Sequence, residues 1–475
     1  MLLPTEANVD NDNPKPLVLA VAGAAVGHFT PVLQMCQHLI SKGFDVSILQ
    51  ASYFKPQIEA IGATFIALDK ECDWCQYDLA LAGKPDGKFP ERLNLAPGLE
   101  TLAYDLEHIF MPYIPSQTRS IRRALEETQK RDPSRKLVML AENSILGVLP
   151  LKLVSDEKRA LMPKILNVNV VPLTYESVDV GPFGTGLPPD STPSGRLRNK
   201  VLHDLVRNFA LKGAMAALRK YLIEAGADPE HIPSPGELGF NIVYHPRVYE
   251  RVFQMCIPEV ELPRSDLPRH IEFVGGLPPK PVPKDYKLPS WWTDITDNAR
   301  KPEGARKKLV VVCQGTFATN YEHVIIPTLD GLRHRSDILV VAILGKEAAV
   351  LRSDFSVPPN ARISDFLLYD AVLPFADLWI QNGGYGGFQH GIANGVPTLL
   401  AGDTEDKPEV GVRAEYSGVG LNLHTGKPTP EQISCGVDEV IGNPSYKRRC
   451  QELRGVMEEY NSLRKIETTL TDLAR

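Results

Sequence analysis

The stretch Trp379 to Pro397, WIQNGGYGGFQHGIANGVP, constrains the fold of this chain most strongly. Leu378-Trp379-Ile380 is apolar, as suits a strand end buried in a sheet. Asn382-Gly383-Gly384-Tyr385-Gly386-Gly387 then turns the chain, and Phe388 to Asn394 reads as a short helix closed by Gly395 and Pro397. Strand, glycine turn and helix start together present free backbone N–H groups to an anion. Glycine lets the main chain approach a phosphate that a side chain would hold off. The stretch is read as the seat of a nucleotide diphosphate; a tight turn that needs glycine only for its geometry is the plainer alternative.

The rest of the chain alternates in the same way. Leu17 to Ala22 is a continuous apolar run, expected of a strand buried on both faces of a parallel sheet. Gly23, Gly27 and His28 follow it. A helix pattern comes next, with Pro31 in its first turn, Val32, Leu33, Met35, Cys36, Leu39 and Ile40 at helical spacing, and Gly43 as its stop. Phe44 to Leu49 completes a βαβ unit, and ligands gather at the strand ends of such sheets, where His28 stands. Leu137 to Ala141 is a further strand with Glu142 at its end, and Ile165 to Val171 another. Five prolines between Pro278 and Pro289 mark a semi-rigid linker, with Trp291-Trp292 opening a short helix at the seam between domains. The second half repeats the alternation. Leu309 to Cys313 is followed by Gln314-Gly315-Thr316, then by strands at Ile338 to Leu344 and Thr398 to Leu400, and residues 446–473 form an amphipathic helical tail. The expected organisation is α/β: a flexible tail at 1–15, a Rossmann-like domain at 16–277, the linker at 278–305, a second Rossmann-like domain at 306–450, and a terminal helix at 451–475.

A chain of 475 residues is too long for one typical core. A net charge of −6 gives no electrostatic footprint for nucleic acid. No apolar run is long enough to span a bilayer, and the acidic N-terminus lacks the basic start of a secretory signal, so a cytoplasmic protein is expected. Seven scattered cysteines fit a reducing compartment. Cys72-Asp73-Trp74-Cys75 is a single CxxC without a second pair and reads as a loop that happens to hold two thiols.

Gly27-His28-x-x-Pro31, Phe273-Val274-Gly275-Gly276, Gln314-Gly315-Thr316, the NGGYGG…GVP block and Pro397 to Glu409 (PTLLAGDTEDKPE) together resemble, in order and spacing, the UDP-glycosyltransferases of glycosyltransferase family 1. The resemblance implies a GT-B fold, two Rossmann-like parallel-sheet domains facing each other across a cleft, with acceptor on the first and UDP-sugar donor on the second. It implies inversion at the anomeric carbon, no metal and no cofactor, the UDP-sugar being a co-substrate, and a terminal helix that crosses back to the first domain. Sugar transfer needs a base for the acceptor proton and positive dipoles for the departing diphosphate. The resemblance assigns His28 as base, oriented by Glu142, where the family more often has aspartate. It suggests Gln314, Gly315, Thr316, Asn382, Gly383, Gly384, Tyr385, Gly386 and Gly387 around the phosphates, and backbone at Leu367 and Leu368 along the uracil edge. Either Gln389 or His390 meets the ribose, and Asp406 and Lys407 hold the sugar hydroxyls. Asn382 stands where the family has histidine, Gly386-Gly387 where it has asparagine-serine, and Lys407 where it has glutamine. A small lipophilic or phenolic acceptor is expected, bound by the loops at 70–116 and 172–195, in a monomer or weak dimer. Two other readings stay open. A catalytically silent relative would keep the fold, motivated by Asn382. A dinucleotide-dependent oxidoreductase would use the two βαβ halves, although 23-GAAVGH-28 has only two glycines.

Overall fold

The buried apolar runs build two parallel sheets. The computed structural model describes residues 14–78, 87–315, 318 and 320–475; Thr316 and residues 1–13 of the N-terminal tail lie outside the described residues. The first sheet holds β1 (Leu17–Val21), β2 (Asp45–Gln50), β3 (Thr64–Ala67), β4 (Leu137–Glu142), β5 (Lys164–Asn169), β6 (Arg251–Gln254) and β7 (Ile271–Phe273). Their spatial order is β3-β2-β1-β4-β5-β6-β7. The second sheet holds β8 (Lys308–Cys313), β9 (Ile338–Ile343), β10 (Ala361–Ser364), β11 (Leu378–Gln381), β12 (Thr398–Leu400) and β13 (Gly420–Asn422), in the order β10-β9-β8-β11-β12-β13. All neighbouring strands run parallel. Parallel strands need crossover helices, which cover both faces, and β1 and β9 are accordingly buried throughout. Each sheet reverses its order once beside its first strand, between β1 and β4 and between β8 and β11. These reversals open the crevices in which doubly wound sheets take ligands. Register sets Val21 against Ala141, so Gly23 and Glu142 emerge side by side. It also sets Gln381 against Cys313, so the NGGYGG turn emerges beside Gln314-Gly315.

Two expectations about connections are corrected. The proline-rich segment is not a spacer over its whole length. Tyr286, Trp291, Trp292 and Ile295 pack with Leu309, Val311 and Trp379 of the second domain, and the Trp291 indole donates to the Ile363 carbonyl at 3.1 Å. These partly buried rings pack on the second domain, so the second body begins before residue 306 and the Trp292–Arg300 helix packs on it rather than at the seam. The helical tail is also not one helix. Pro444–Glu459 and Ser462–Leu473 are separated at Tyr460-Asn461, where the Asn461 side chain accepts the Arg464 N–H at 3.1 Å and starts the second helix. The break changes the chain's direction. Cys450, Leu453 and Met457 pack in a seam with Cys256, Ile257 and Val260 of the first half and Phe388 and Ile392 of the second. Ile466 and Leu470 then bury in the core of the first sheet. Among the described residues no helix is long and apolar enough to cross a membrane.

Candidate active site at the facing sheet reversals

His28 lies in the first turn of the Val26–Ser41 helix that leaves β1. The helix has no side-chain cap of its own; Gln76 supplies one from a distance, its side-chain oxygen accepting the Val26 N–H at 2.8 Å. Glu142 ends β4 and is fully buried. Its Oε1 lies 2.9 Å from His28 Nδ1, and its Oε2 accepts the Gly23 N–H at 3.1 Å and the Ser144 hydroxyl. A side chain at Gly23 would collide with that hydroxyl, since a Cβ there would lie 2.1 Å from Ser144 Oγ. Burial pushes the Glu142 carboxyl up, but the His28 charge and hydrogen bond outweigh it and hold the carboxyl below its ordinary value. Burial likewise pushes His28 down, and Glu142, with a smaller contribution from Asp406, carries it above its ordinary value. An ionised carboxylate only accepts, so Nδ1 carries the proton of the neutral ring and Nε2 is a bare acceptor. The His28 side chain is 29% exposed.

The anion-binding half is the start of the Tyr385–Ala393 helix. Gly384 at its N-cap provides no side-chain hydrogen bond, so the first N–H groups of the helix have no partner from the cap. The Asn382 amide makes no hydrogen bond among the described residues. Gly383 has φ +84°, a conformation glycine adopts without strain. Gly386 faces open space, whereas a Cβ on Gly387 would lie 2.3 Å from Gln381 Oε1. The two glycines therefore serve different ends: Gly386 leaves room over the helix start, and Gly387 lets the helix sit against the sheet.

His390, one turn further along, has Nδ1 2.9 Å from Asp370 Oδ1, repeating the His28–Glu142 arrangement. Burial pushes the Asp370 carboxyl up, but the hydrogen bond and charge of His390 outweigh it and hold the carboxyl below its ordinary value. His390 is 38% exposed, whereas the Gln389 amide points at Gly276 and Met457 in the seam and its nitrogen has no partner. Lys407 packs on Gly383 and Gly402, and its ammonium donates to the Thr404 hydroxyl at 2.8 Å and to Glu405. Glu405 thus meets the charge that lysine adds at this position. Asp406 is the N-cap residue of the Lys407–Ser417 helix, and burial raises its carboxyl.

Two of the expected donor residues turn their side chains into the protein. The buried Gln314 amide donates to the Ala318 and Asn320 carbonyls at 3.3 and 2.9 Å and accepts from the Val324 and Ile325 N–H groups at 3.0 and 2.9 Å, so it fixes its own loop. The Tyr385 ring is core, packed in the seam with its hydroxyl accepting from Gln254 at 3.2 Å. At the expected uracil edge, the Leu368 N–H donates to the Tyr286 hydroxyl at 3.2 Å and its carbonyl accepts from Ala371. Leu367 buries its side chain and keeps an unpaired main chain among the described residues.

The halves face each other closely enough for their charges to act across the cleft. Asp406 of the second half helps raise His28 of the first. Arg92 pairs with Asp105 at 2.7 Å and reaches Glu405 at 3.9 Å. Glu409, one turn into the helix after Asp406, accepts the Gly184 and Gly186 N–H groups at 3.0 Å each, drawing in the loop of the first domain that the sequence offers as an acceptor wall. Asp370, Arg92 and Glu409 were not singled out by the sequence, because each acts through a partner far along the chain and no local pattern marks it.

A family profile described as "Erythromycin biosynthesis protein CIII-like, C-terminal domain" matches residues 329–470. UDP-glucosyltransferase 1 of Beauveria bassiana (strain ARSEF 2860) is 35% identical over 462 residues, spanning 97% of this chain and 95% of its own length. UDP-glucosyltransferase A1 of Starmerella bombicola is 32% identical over 462 residues, spanning 97% and 93%. Among solved structures, the glycotransferase of kitacinnamycin aligns with a TM-score of 0.67 at 17% identity, covering 97% of this chain and 100% of that one.

Proposed function

This chain belongs to the UDP-glycosyltransferases of family 1 and has their GT-B fold, and from that premise we propose that it moves glucose from UDP-glucose to a hydroxyl of a small lipophilic or phenolic acceptor with inversion. His28 Nε2 takes the acceptor proton as the oxygen attacks the anomeric carbon. Glu142 keeps the ring in the tautomer that can do so and steadies the imidazolium that forms. The bond from the anomeric carbon to the diphosphate oxygen breaks, and the charge left on UDP falls on the N–H groups and dipole at the start of the Tyr385–Ala393 helix, with the Asn382 amide beside them. Asp406 and Lys407 orient the hexose, and His390, held by Asp370, accepts a ribose hydroxyl.

The observation that carries this reading is the pairing of a base with a bare Nε2 and an uncapped glycine-rich helix start on opposite halves of one molecule. Its test is incubation with UDP-glucose and a panel of phenols and long-chain alcohols, read by mass spectrometry and UDP release. A glucoside whose formation His28→Ala abolishes supports it. Absence of turnover with every nucleotide sugar contradicts it.

A further inference from the structure

The helix Pro193–Leu205 is built inside out. Its N-terminus is capped by Thr192, whose hydroxyl accepts the Gly195 N–H at 3.1 Å. The residues it buries at every fourth position are Gly195, Asn199 and His203. Asn199 donates to the Val178 and Asp190 carbonyls at 2.9 and 3.4 Å, and His203 to the Ser177 and Val180 carbonyls at 3.2 and 3.0 Å. The opposite face carries Leu197, Val201, Leu205 and, continuing through Val206–Ala210, Phe209, again four apart; these are 66, 48, 47 and 76% exposed. A helix on a water-facing surface buries its apolar stripe and exposes its polar one. Here the polar stripe is fastened to the protein by hydrogen bonds and the apolar stripe is turned away from it, uncovered by the described residues.

The charge around the stripe identifies its occupant. Between residues 193 and 212 there are five basic side chains, Arg196, Arg198, Lys200, Arg207 and Lys212, against one acid, Asp204, in a chain of net charge −6. Arg196 pairs with Asp179 at 2.8 Å, Arg207 with Glu176 at 3.6 Å and Asp204 at 3.1 Å, and Arg198 stands 3.8 Å from Asp190. Lys200 and Lys212 are exposed and hold no ion pair among the described residues. An apolar stripe bordered by free lysines matches a bilayer interface, where side chains enter the acyl boundary and ammonium groups stay among anionic headgroups.

We infer that this face docks the protein on an anionic lipid surface. The position suits delivery of substrate from that surface. The loop that Asn199 and His203 fasten continues to Phe183, Gly184 and Gly186, and those two glycines hold Glu409 beside the donor residues. Phe183 packs on Phe240 at 5.5 Å beneath the helix. The docked face is thus one loop away from the cleft, so an acceptor dissolved in the bilayer enters without crossing bulk water. That last step rests on the proposed glucosyl transfer; the docking itself does not.

The test is co-sedimentation of the full chain with vesicles of phosphatidylcholine alone and of phosphatidylcholine with phosphatidylserine. The wild type is expected to sediment with the anionic vesicles and to be released in part by salt. Leu197→Ser/Phe209→Ser is expected to lower the partition by at least about tenfold, with UDP affinity by calorimetry unchanged. Lys200→Glu/Lys212→Glu is expected to erase the preference for phosphatidylserine. Wild type that stays in solution with both vesicles overturns the inference. So does a double serine variant that sediments like wild type, a charge-reversed variant that keeps the preference, or a wild-type dimer in light scattering that the serine variant dissolves, since a second copy would then cover the stripe. Because partition and UDP affinity are read without turnover, failure of docking is distinguishable from failure of the proposed transfer.

Discussion

Two histidines of the candidate site are held by the same device. His28 and His390 each give Nδ1 to a carboxylate, Glu142 or Asp370, and leave Nε2 without a hydrogen-bond partner among the described residues. His28→Ala should lower kcat by roughly 10²–10⁴-fold, the usual contribution of a general base, while calorimetry shows UDP still bound. The pH profile checks Glu142. His28 acts only when neutral and its pKa lies above its ordinary value, so the rate should fall as the pH drops through that raised pKa. In Glu142→Gln the carboxylate that raises it is gone and burial remains, so the acid limb should move to lower pH while kcat falls. A limb that stays in place would show that Glu142 does not set the base. Asp370→Asn should weaken UDP binding by about tenfold, the size of one lost charge-assisted hydrogen bond. The positions of His28 and Glu142 at strand ends follow from the apolar runs before them, and the fold brings the two within 2.9 Å; the pairing of their roles comes from the family resemblance. For Gln314 and Tyr385 a motif gives a position and not the direction of a side chain. Gln314 sits in the expected loop with its amide turned into it, and Tyr385 sits in the expected turn with its ring in the core. Asp370 had no local signal, being brought to His390 only by the fold.

At the scale of elements, the glycines at the start of the Tyr385–Ala393 helix separate packing from binding. Gly387→Ala places a methyl group against Gln381 and should cost about 1–3 kcal/mol, seen as a lower melting temperature. Gly386→Ala meets no neighbour, so its melting temperature should stay near wild type, and any effect should appear in UDP affinity alone. Equal destabilisation by the two would contradict the assignment of separate roles. The strands of the central sheets were legible because a strand covered on both faces is an unbroken apolar run, as in Leu17 to Val21 and Leu309 to Cys313. The linker was less so. Its proline density speaks for an extended spacer, and only packing shows that Tyr286, Trp291 and Ile295 belong to the second core. The tail reads as continuous helix in sequence because the break at Tyr460-Asn461 contains neither glycine nor proline; it depends on an asparagine cap.

The whole molecule holds its cleft through a seam that is both apolar and ionic. The fully buried Arg413 pairs with Glu261 of the first half and with Glu409, whose other oxygen holds the Gly181 to Pro189 loop. Burial pushes Arg413 down, but the two carboxylates outweigh it and keep it charged. Glu261→Ala removes one of the two carboxylates of that guanidinium and the carboxylate of the buried Arg264, and should cost about 3–5 kcal/mol, measurable as a shift in the denaturant midpoint; a shift within error would show that the seam does not depend on the pair. Ile466→Ala should cost about 2–5 kcal/mol although residue 466 lies far along the chain from the first sheet, because the tail is part of that core. The central claim is that a hexose fits between an imidazole on one half and a helix start on the other. The most direct measurement is a crystal structure with a non-transferable UDP-glucose analogue bound. The account expects the β-phosphate on the N–H groups of Gly384 to Gly387 and the anomeric carbon facing His28 Nε2. A diphosphate bound elsewhere, or a sugar turned away from His28, would contradict it.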